Sequence, residues 1–90
     1  MAWRIEFDPG AVKDLTQQDR PIQKRLTGFL RERVANLANP RELGEALHGP
    51  QLGQFWKYRV GDWRIVCELR DETITVLVLR IGHRRDVYRR

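Results

Sequence analysis

The sequence predicts an α+β fold in the order β-α-α-β-β-β, with a helical hairpin packed on one face of a curved, mainly antiparallel four-stranded sheet. Three observations predict this fold. An alternating segment opens the chain, a long apolar stripe at helical spacing follows, and three strand-like segments separated by turns complete it. With 90 residues and no internal linker or repeat, residues 1–90 are predicted to form a single domain.

The first strand and the first helix are predicted from the N-terminal residues. Trp3–Phe7 alternates apolar and polar side chains, as in a half-buried strand. Asp8 followed by a proline is a helix N-cap with proline at the first helical position. We therefore expect a short helix over Pro9–Gln18, with Val12 and Leu15 turned inward.

The second helix is longer and carries the main apolar stripe. It begins after Asp19, where Pro21 again favours a helix start, and it ends at Asn39–Pro40. Six apolar residues recur at helical spacing in between: Ile22, Leu26, Phe29, Leu30, Val34 and Leu37. The two helices with their brief link form an αα-hairpin.

The second half of the chain predicts the rest of the sheet. After a connecting segment over residues 40–53, three strands follow at about Phe55–Val60, Trp63–Leu69 and Thr73–Ile81. The last strand is apolar on both faces, which is expected of a strand in the interior of a sheet.

The tight turn at Gly61–Asp62 determines how the first two of these strands face each other. A two-residue loop that begins with glycine suits a type I′ or II′ hairpin, in which Arg59 lies opposite Arg64 and Lys57 lies opposite Val66. The opposite face is then apolar and carries Trp56, Tyr58, Val60, Trp63, Ile65 and Cys67. Like charges directly opposite each other are destabilising, and no carboxylate alternates with Lys57, Arg59 and Arg64. The face is therefore predicted to bind a polyanion.

The charge of the whole chain supports a negatively charged ligand. Lys and Arg number 17 against 12 Asp and Glu, which gives a net charge of +5, and five arginines lie between Arg80 and Arg90. Guanidinium groups bind phosphate and carboxylate in a bidentate way. Nucleic acid or an acidic protein is the predicted partner.

Several other classes of protein are excluded by the sequence. It contains no run of about 18 apolar residues and no signal peptide, so we predict a cytoplasmic protein without a membrane partner. His48 and His83 are far apart and Cys67 faces the core, so we predict no metal site. No glycine-rich phosphate loop follows a strand and the chain has no serine, so we predict neither a nucleotide cofactor nor a serine nucleophile.

The remaining polar residues suit the cleavage of RNA. Such cleavage can use the substrate's own 2′-OH as the nucleophile, and it needs a base, cations for the pentavalent phosphate and an acid for the leaving 5′-oxygen. Lys57 is a candidate base, because the charges of Arg59 and Arg64 favour its neutral form. His83 is the candidate acid. Tyr88 orients the 2′-OH or stacks on a base.

Other interpretations of the same residues stay open at this point. Lysine and arginine are normal on a solvated sheet face, His83 can be a surface residue at a strand end, and Tyr88 can pin the tail to the core. Arg85, Arg89 and Arg90 are predicted to form a basic tail that contacts RNA rather than to act in catalysis.

Two segments of the chain, GQFWKYRVGDWRIVCEL and LVLRIGHRRDVYRR, closely resemble the RelE-like toxins of bacterial type II toxin–antitoxin pairs, part of the RelE/ParE superfamily. The resemblance implies a ribosome-dependent endonuclease that cuts mRNA in the A site through the 2′-OH, with no cofactor. It also implies neutralisation by a small RelB-like antitoxin and repression of the operon through operator DNA bound by the toxin–antitoxin complex.

The resemblance also implies roles for individual residues. Lys57 matches the first lysine of the family's basic strand, and Arg64 matches the arginine that stabilises charge in the transition state. Arg84 matches the arginine assigned to the leaving group or the phosphate, and Tyr88 matches the tyrosine that positions the nucleotide.

Two positions differ from the best-known members of the family. Arg59 stands where a lysine proposed as general base is found, so Lys57 would take that role or the reaction would be slower. The position of His83 is often lysine in the best-known members and histidine in many others, so the resemblance is compatible with His83 as the acid but does not require it.

Two further functions fit the same fold. A ParE-like toxin poisons DNA gyrase without cutting RNA, although that branch usually lacks the full set of basic residues and tyrosine. A non-enzymatic module would use the same basic face only to bind an antitoxin or a nucleic-acid backbone.

Overall fold

The computed structural model describes residues 2–47 and 55–84, and within them two helices pack on one face of a five-stranded sheet. The helices are α1 (Pro9–Thr16) and α2 (Arg20–Gly28), and α2 continues as a π-helical segment over Phe29–Val34. The strands are β1 (Arg4–Phe7), β2 (Glu45–Ala46), β3 (Phe55–Val60), β4 (Trp63–Arg70) and β5 (Thr75–His83). Short 3₁₀ turns cover Pro40–Glu42 and Asp71–Thr73.

The order of the strands is β1-β5-β4-β3-β2, and every pair is antiparallel except the parallel pair of β1 with β5. The α+β class and the mainly antiparallel sheet are confirmed, and β5 is an interior strand as its two apolar faces predicted. The predicted number of four strands is wrong. The fifth strand, β2, contains only two residues, so it carries no alternation that a sequence pattern can reveal.

The helix starts follow the predicted capping pattern. The side chain of Asp8 accepts a hydrogen bond from the backbone N–H of Gly10 at 2.9 Å, and Asp19 accepts one from Ile22 at 3.3 Å. Each cap satisfies a donor that has no partner within its own helix.

The core lies between the helices and the inner face of the sheet. It consists of Ala11, Leu26, Leu30, Val34, Tyr58, Val60, Ile65, Cys67, Leu69, Val76, Val78 and Ile81. The predicted inward position of Val12 is wrong, because its side chain is 46% exposed while Ala11 is fully buried. Helix α1 packs on β5 through Ala11 and Leu15, which are four residues apart and share one face of the helix. Val12 is on a different side of the helix, which faces solvent.

An irregularity in β5 decides which residues its last part presents to each face. Val66 pairs with Arg80, but the next residue, Cys67, pairs with Val78, so Leu79 has no partner and forms a β-bulge. Asp14 of α1 holds this bulge: its Oδ2 atom accepts hydrogen bonds from Arg80 Nε at 2.8 Å and from the backbone N–H of Ile81 at 2.9 Å. One carboxylate therefore fixes the path of the strand beyond the bulge.

Within the described residues, no helix is both long enough and apolar enough to cross a membrane.

Candidate active site

The basic face of the sheet has the arrangement that the hairpin predicted. Arg59 pairs with Arg64 and Lys57 pairs with Val66, so the three cations share the face of the sheet that lies away from the helices. An open depression of about 500 Å³ lies on this face. Its lining consists of Gly44, Glu45, Lys57, Tyr58, Arg59 and Arg64. The predicted cationic face is confirmed as a geometric feature.

Arg64 is held in place by the backbone of the hairpin. Its Nη1 atom donates to the carbonyl oxygens of Gly61 and Trp63, both at 3.0 Å. The residue opposite Arg64 on β5 is Gly82, which has no side chain to cover the guanidinium. The remaining donors of Arg64 are therefore oriented by the protein and open to a ligand on the basic face.

The end of β5 brings Arg84 to the same hairpin. The backbone N–H of Arg84 donates to the carbonyl oxygen of Asp62 at 2.7 Å, which extends the pairing of β4 and β5 into the turn. Arg84 is the first residue after β5 and is exposed. The backbone of Arg84 therefore lies at the same turn to which Arg64 is bonded.

His83 lies on the opposite face of the sheet. It pairs with Trp63, and the two rings meet edge to face with centroids 5.7 Å apart. The indole N–H of Trp63 in turn donates to Gln18 Oε1 at 3.3 Å. The bulge at Leu79 causes this placement: Val78 points inward, and an unbroken alternation would have put His83 on the basic face. The sheet thus separates His83 from Arg59 and Arg64.

The other predicted site residues cannot be placed. Tyr88 and the basic tail residues Arg85, Arg89 and Arg90 lie outside the described residues.

Glu45 is the site residue that the sequence did not reveal. It pairs with Lys57 across β2 and β3, so its carboxylate shares the basic face and lines the depression. Residues 40–53 were predicted only to connect the helices to the sheet, and two residues of strand give no periodic signal. The structure therefore adds one carboxylate beside the cations.

Two buried groups near the site are chemically inert. Tyr58 donates its hydroxyl to the carbonyl oxygen of Pro40 at 2.7 Å, and burial raises the pKa of this phenol. Burial likewise raises the pKa of the Cys67 thiol, which confirms the predicted inward position of Cys67. Both groups remain protonated near neutral pH, so neither acts as a base or a nucleophile there.

Among the residues that the structure describes, no group of three His, Cys, Asp or Glu side chains is placed to hold a metal ion.

The short strand β2 depends on Gly44. This glycine has a φ of +76°, and a Cβ atom there would overlap the carbonyl oxygen of Lys57 and lie 2.8 Å from Trp56 Nε1. Trp56 Nε1 donates to the carbonyl oxygen of Leu43 at 2.6 Å, which closes the contact between the two strands. Glu45 reaches the basic face because the residue before it has no side chain.

We expect Gly44→Ala to lower the free energy of unfolding by at least about 2 kcal/mol, since the left-handed backbone and the steric overlap both disfavour a side chain. Urea denaturation followed by fluorescence measures the change. The control is Gly28→Ala, whose new Cβ would lie 4.0 Å from the nearest atom, Glu32 Oε2, on a helical backbone. This control is expected to be neutral or stabilising. Equal stability of the two variants would contradict the assigned role of Gly44.

Comparison with known proteins identifies the family. A family model described as the ParE toxin of the type II toxin–antitoxin system, parDE, matches residues 5–88. The chain belongs to this family. It is also 30% identical to Toxin RelG of Mycobacterium tuberculosis over 90 residues, which is 100% of both chains. The predicted resemblance is thus confirmed: the protein is a type II toxin of the RelE/ParE superfamily.

Solved structures of RelE proteins have the same fold as this toxin. The toxin–antitoxin complex RelBE2 of Mycobacterium tuberculosis contains a chain with a TM-score of 0.84 and 26% identity, with 96% of this chain and 95% of that chain covered. The archaeal RelE–RelB complex of Pyrococcus horikoshii contains a chain with a TM-score of 0.73 and 22% identity, with 97% of this chain and 100% of that chain covered. The isolated E. coli RelE toxin has a TM-score of 0.70 and 20% identity, with 91% of this chain and 84% of that chain covered. At these identities the last two structures show a shared fold and nothing further.

Proposed function

We propose that this toxin is an endoribonuclease that cuts mRNA in the ribosomal A site by attack of the 2′-OH on the adjacent phosphate. The observation that supports the proposal is the set of charges that line one open face, Glu45, Lys57, Arg59 and Arg64, with the backbone of Arg84 at the adjoining turn. A phosphate that gains charge in a pentavalent transition state is stabilised by fixed cations, and Arg64 is already oriented by two carbonyl oxygens.

Glu45 is the proposed general base. A carboxylate is charged near neutral pH and can accept the proton of a 2′-OH, whereas a protonated lysine cannot. Lys57 lies directly opposite Glu45, and opposite charges across a sheet attract each other. Lys57 then acts as a cation for the phosphate, in place of the role of base that the sequence alone predicted for it.

The reaction forms a bond between the 2′-oxygen and phosphorus and breaks the bond to the 5′-oxygen. The 2′-OH gives its proton to Glu45, and the products are a 2′,3′-cyclic phosphate and a 5′-OH. Arg59 and Arg64 stabilise the phosphate, and Arg84 stabilises charge on the leaving oxygen. The ring of His83 contacts Trp63 on the other face of the sheet, so its role as the acid stays a prediction from the sequence. In this scheme a water molecule gives the leaving oxygen its proton.

The openness of the site supports a reaction that depends on the ribosome. The depression is a surface feature, and Arg59 and Arg84 are exposed. Correct alignment of the 2′-OH, phosphate and leaving oxygen is worth up to roughly 7–11 kcal/mol. The ribosome would supply that alignment, and this target places the toxin in the cytoplasm.

We also propose a RelB-like antitoxin as the partner of this toxin. Its relatives in Mycobacterium tuberculosis and Pyrococcus horikoshii are seen in complexes with such proteins. An acidic segment that orders on binding would neutralise the basic face, and the complex would bind operator DNA.

A poison of DNA gyrase is the second candidate function, since the matching family is described by the name ParE. The two functions give different products: cut mRNA in one case and stabilised double-strand breaks in DNA in the other.

The test is cleavage of a 5′-labelled mRNA on ribosomes with an empty A site, compared with the same mRNA free in solution. Wild type is expected to cut within the A-site codon only on ribosomes, and Arg84→Ala is expected to lose at least about 100-fold in rate. Arg33→Ala, on the exposed side of the π-helical segment, is the matched control and keeps the rate. Gyrase with a supercoiled plasmid is tested in parallel. Stabilised breaks without mRNA cleavage would overturn the proposal in favour of gyrase, and rapid cutting of free mRNA would contradict the dependence on the ribosome.

A further inference from the structure

The turn between β3 and β4 is covered by an arginine from a distant part of the chain. A Cβ atom on Gly61 would lie 3.0 Å from Nη2, 3.1 Å from Nη1 and 3.3 Å from Cζ of Arg25. Both Nη atoms are nearer to this position than Cζ is, so the guanidinium approaches the glycine with its Nη end. Gly61 has a φ of +59° and no side chain, so it permits both the turn and this close approach.

The donors of Arg25 are not used by the described parts of the chain. Its guanidinium forms no hydrogen bond with any residue there, although it lies against the turn. Arg25 is exposed and forms no ion pair with any carboxylate in the described parts of the chain. A charged, planar group is therefore held at a fixed place with its donors available.

Two other arginines reach the same turn from different elements. Arg64 of β4 donates to the carbonyl oxygen of Gly61, and the backbone of Arg84 at the end of β5 donates to the carbonyl oxygen of Asp62. Three arginines and the one aspartate of the turn leave a local charge of +2. Helix α2 lies on the inner side of the sheet, so Arg25 extends the basic face around the end of the hairpin.

We propose that Arg25 binds an RNA phosphodiester next to the one that is cut, so that the RNA backbone bends around the β3–β4 turn. The inference rests on the proposed function for the identity of the ligand as RNA. A planar guanidinium with free in-plane donors suits the bidentate recognition of a phosphate. The scissile phosphate belongs to the depression beside Arg59 and Arg64, and Arg25 lies beyond it on the far side of Gly61.

The first experiment measures binding of the free protein to a short single-stranded RNA in which every 2′-hydroxyl is methylated, so that it cannot be cut. The affinity is measured over a range of salt concentrations. Removing one phosphate contact reduces the slope of log affinity against log salt by about 0.7 on a single strand. Arg25→Gln is expected to show this reduction. Arg20→Gln is the matched control with the same change of charge on the same helix, about 140° around its axis, and keeps the wild-type slope.

The second experiment finds the phosphate. Single methylphosphonates, which are neutral, are placed in turn along the same RNA. In wild type one position away from the scissile phosphate is expected to weaken binding about 10-fold through Arg25, and in Arg25→Gln the penalty at that position should vanish. Arg25→Lys should recover part of the affinity, because lysine keeps the charge but not the planar set of donors.

The outcomes separate the two proposals. One outcome is that wild type fails to cut mRNA while Arg25→Gln, and not Arg20→Gln, shows the reduced salt dependence of affinity and no loss of affinity at the single methylphosphonate position. In that case the phosphate site stands and the endonuclease proposal fails. If wild type cuts mRNA but Arg25→Gln matches Arg20→Gln in both measurements, the endonuclease proposal stands and the phosphate site is refuted. Absence of any binding of the methylated RNA by wild type also refutes the site.

Discussion

Arg64→Ala is expected to lower the rate of mRNA cleavage on the ribosome by about 10²–10³-fold, with little change in the melting temperature. Removal of one fixed donor to a charged transition state has an effect of this size. The protein orients the guanidinium of Arg64 through the carbonyl oxygens of Gly61 and Trp63, both at 3.0 Å. In the variant, water can replace its hydrogen bond to the exposed turn carbonyl of Gly61, so the fold should survive.

The measurement is single-turnover cleavage at saturating toxin, which reports the chemical step apart from binding. Arg70→Ala is the matched control, because Arg70 lies at the other end of β4 and pairs with Glu68 at 3.1 Å. Arg64→Lys should recover only part of the loss, since lysine keeps the charge without the planar donors. A rate within about threefold of wild type for a folded Arg64→Ala variant would remove Arg64 from the catalytic set.

Glu45→Gln is expected to lower the maximal rate by about 10²–10⁴-fold, the size of effect that general base catalysis provides. The affinity for the ribosome complex should be unchanged or higher, because the variant removes a negative charge from a basic face.

Glu42→Gln supplies the control, since Glu42 is exposed on the 3₁₀ turn before β2 and does not line the depression. Lys57→Met distinguishes the two candidate bases. If Glu45 is the base, Lys57→Met loses only the contribution of a cation to binding of the phosphate, and Glu45→Gln has the larger effect on the maximal rate. Full activity of Glu45→Gln together with loss of cleavage in Lys57→Met would restore lysine as the base.

The register of the β3–β4 hairpin was predictable because it depends only on the two turn residues, Gly61 and Asp62, and on the alternation of side chains between the two faces of a strand. Once Gly61 and Asp62 form the turn, the pairing of Arg59 with Arg64 follows, and so does the separation of the charged and apolar faces. The helix starts were predictable for a similar reason, since Asp8 and Asp19 act on backbone groups within three residues.

The composition of the site was predictable only in part. Glu45 joins the cations through a two-residue strand that exists because the edge of β3 accepts it and Gly44 allows close contact. The face of His83 depends on a bulge that Asp14, more than sixty residues away in sequence, holds in place. Neither feature leaves a periodic signal in the residues that form it.

The sequence by itself therefore determined the fold class, the family and the cationic strands, because those follow from local patterns and from motifs that are contiguous in the chain. The tertiary structure decided which charges share a face: it added Glu45, moved His83 to the far side of the sheet and placed Arg25 on the hairpin turn. These placements arise from strand pairing, a one-residue bulge and helix packing, and all three join residues that are distant along the chain.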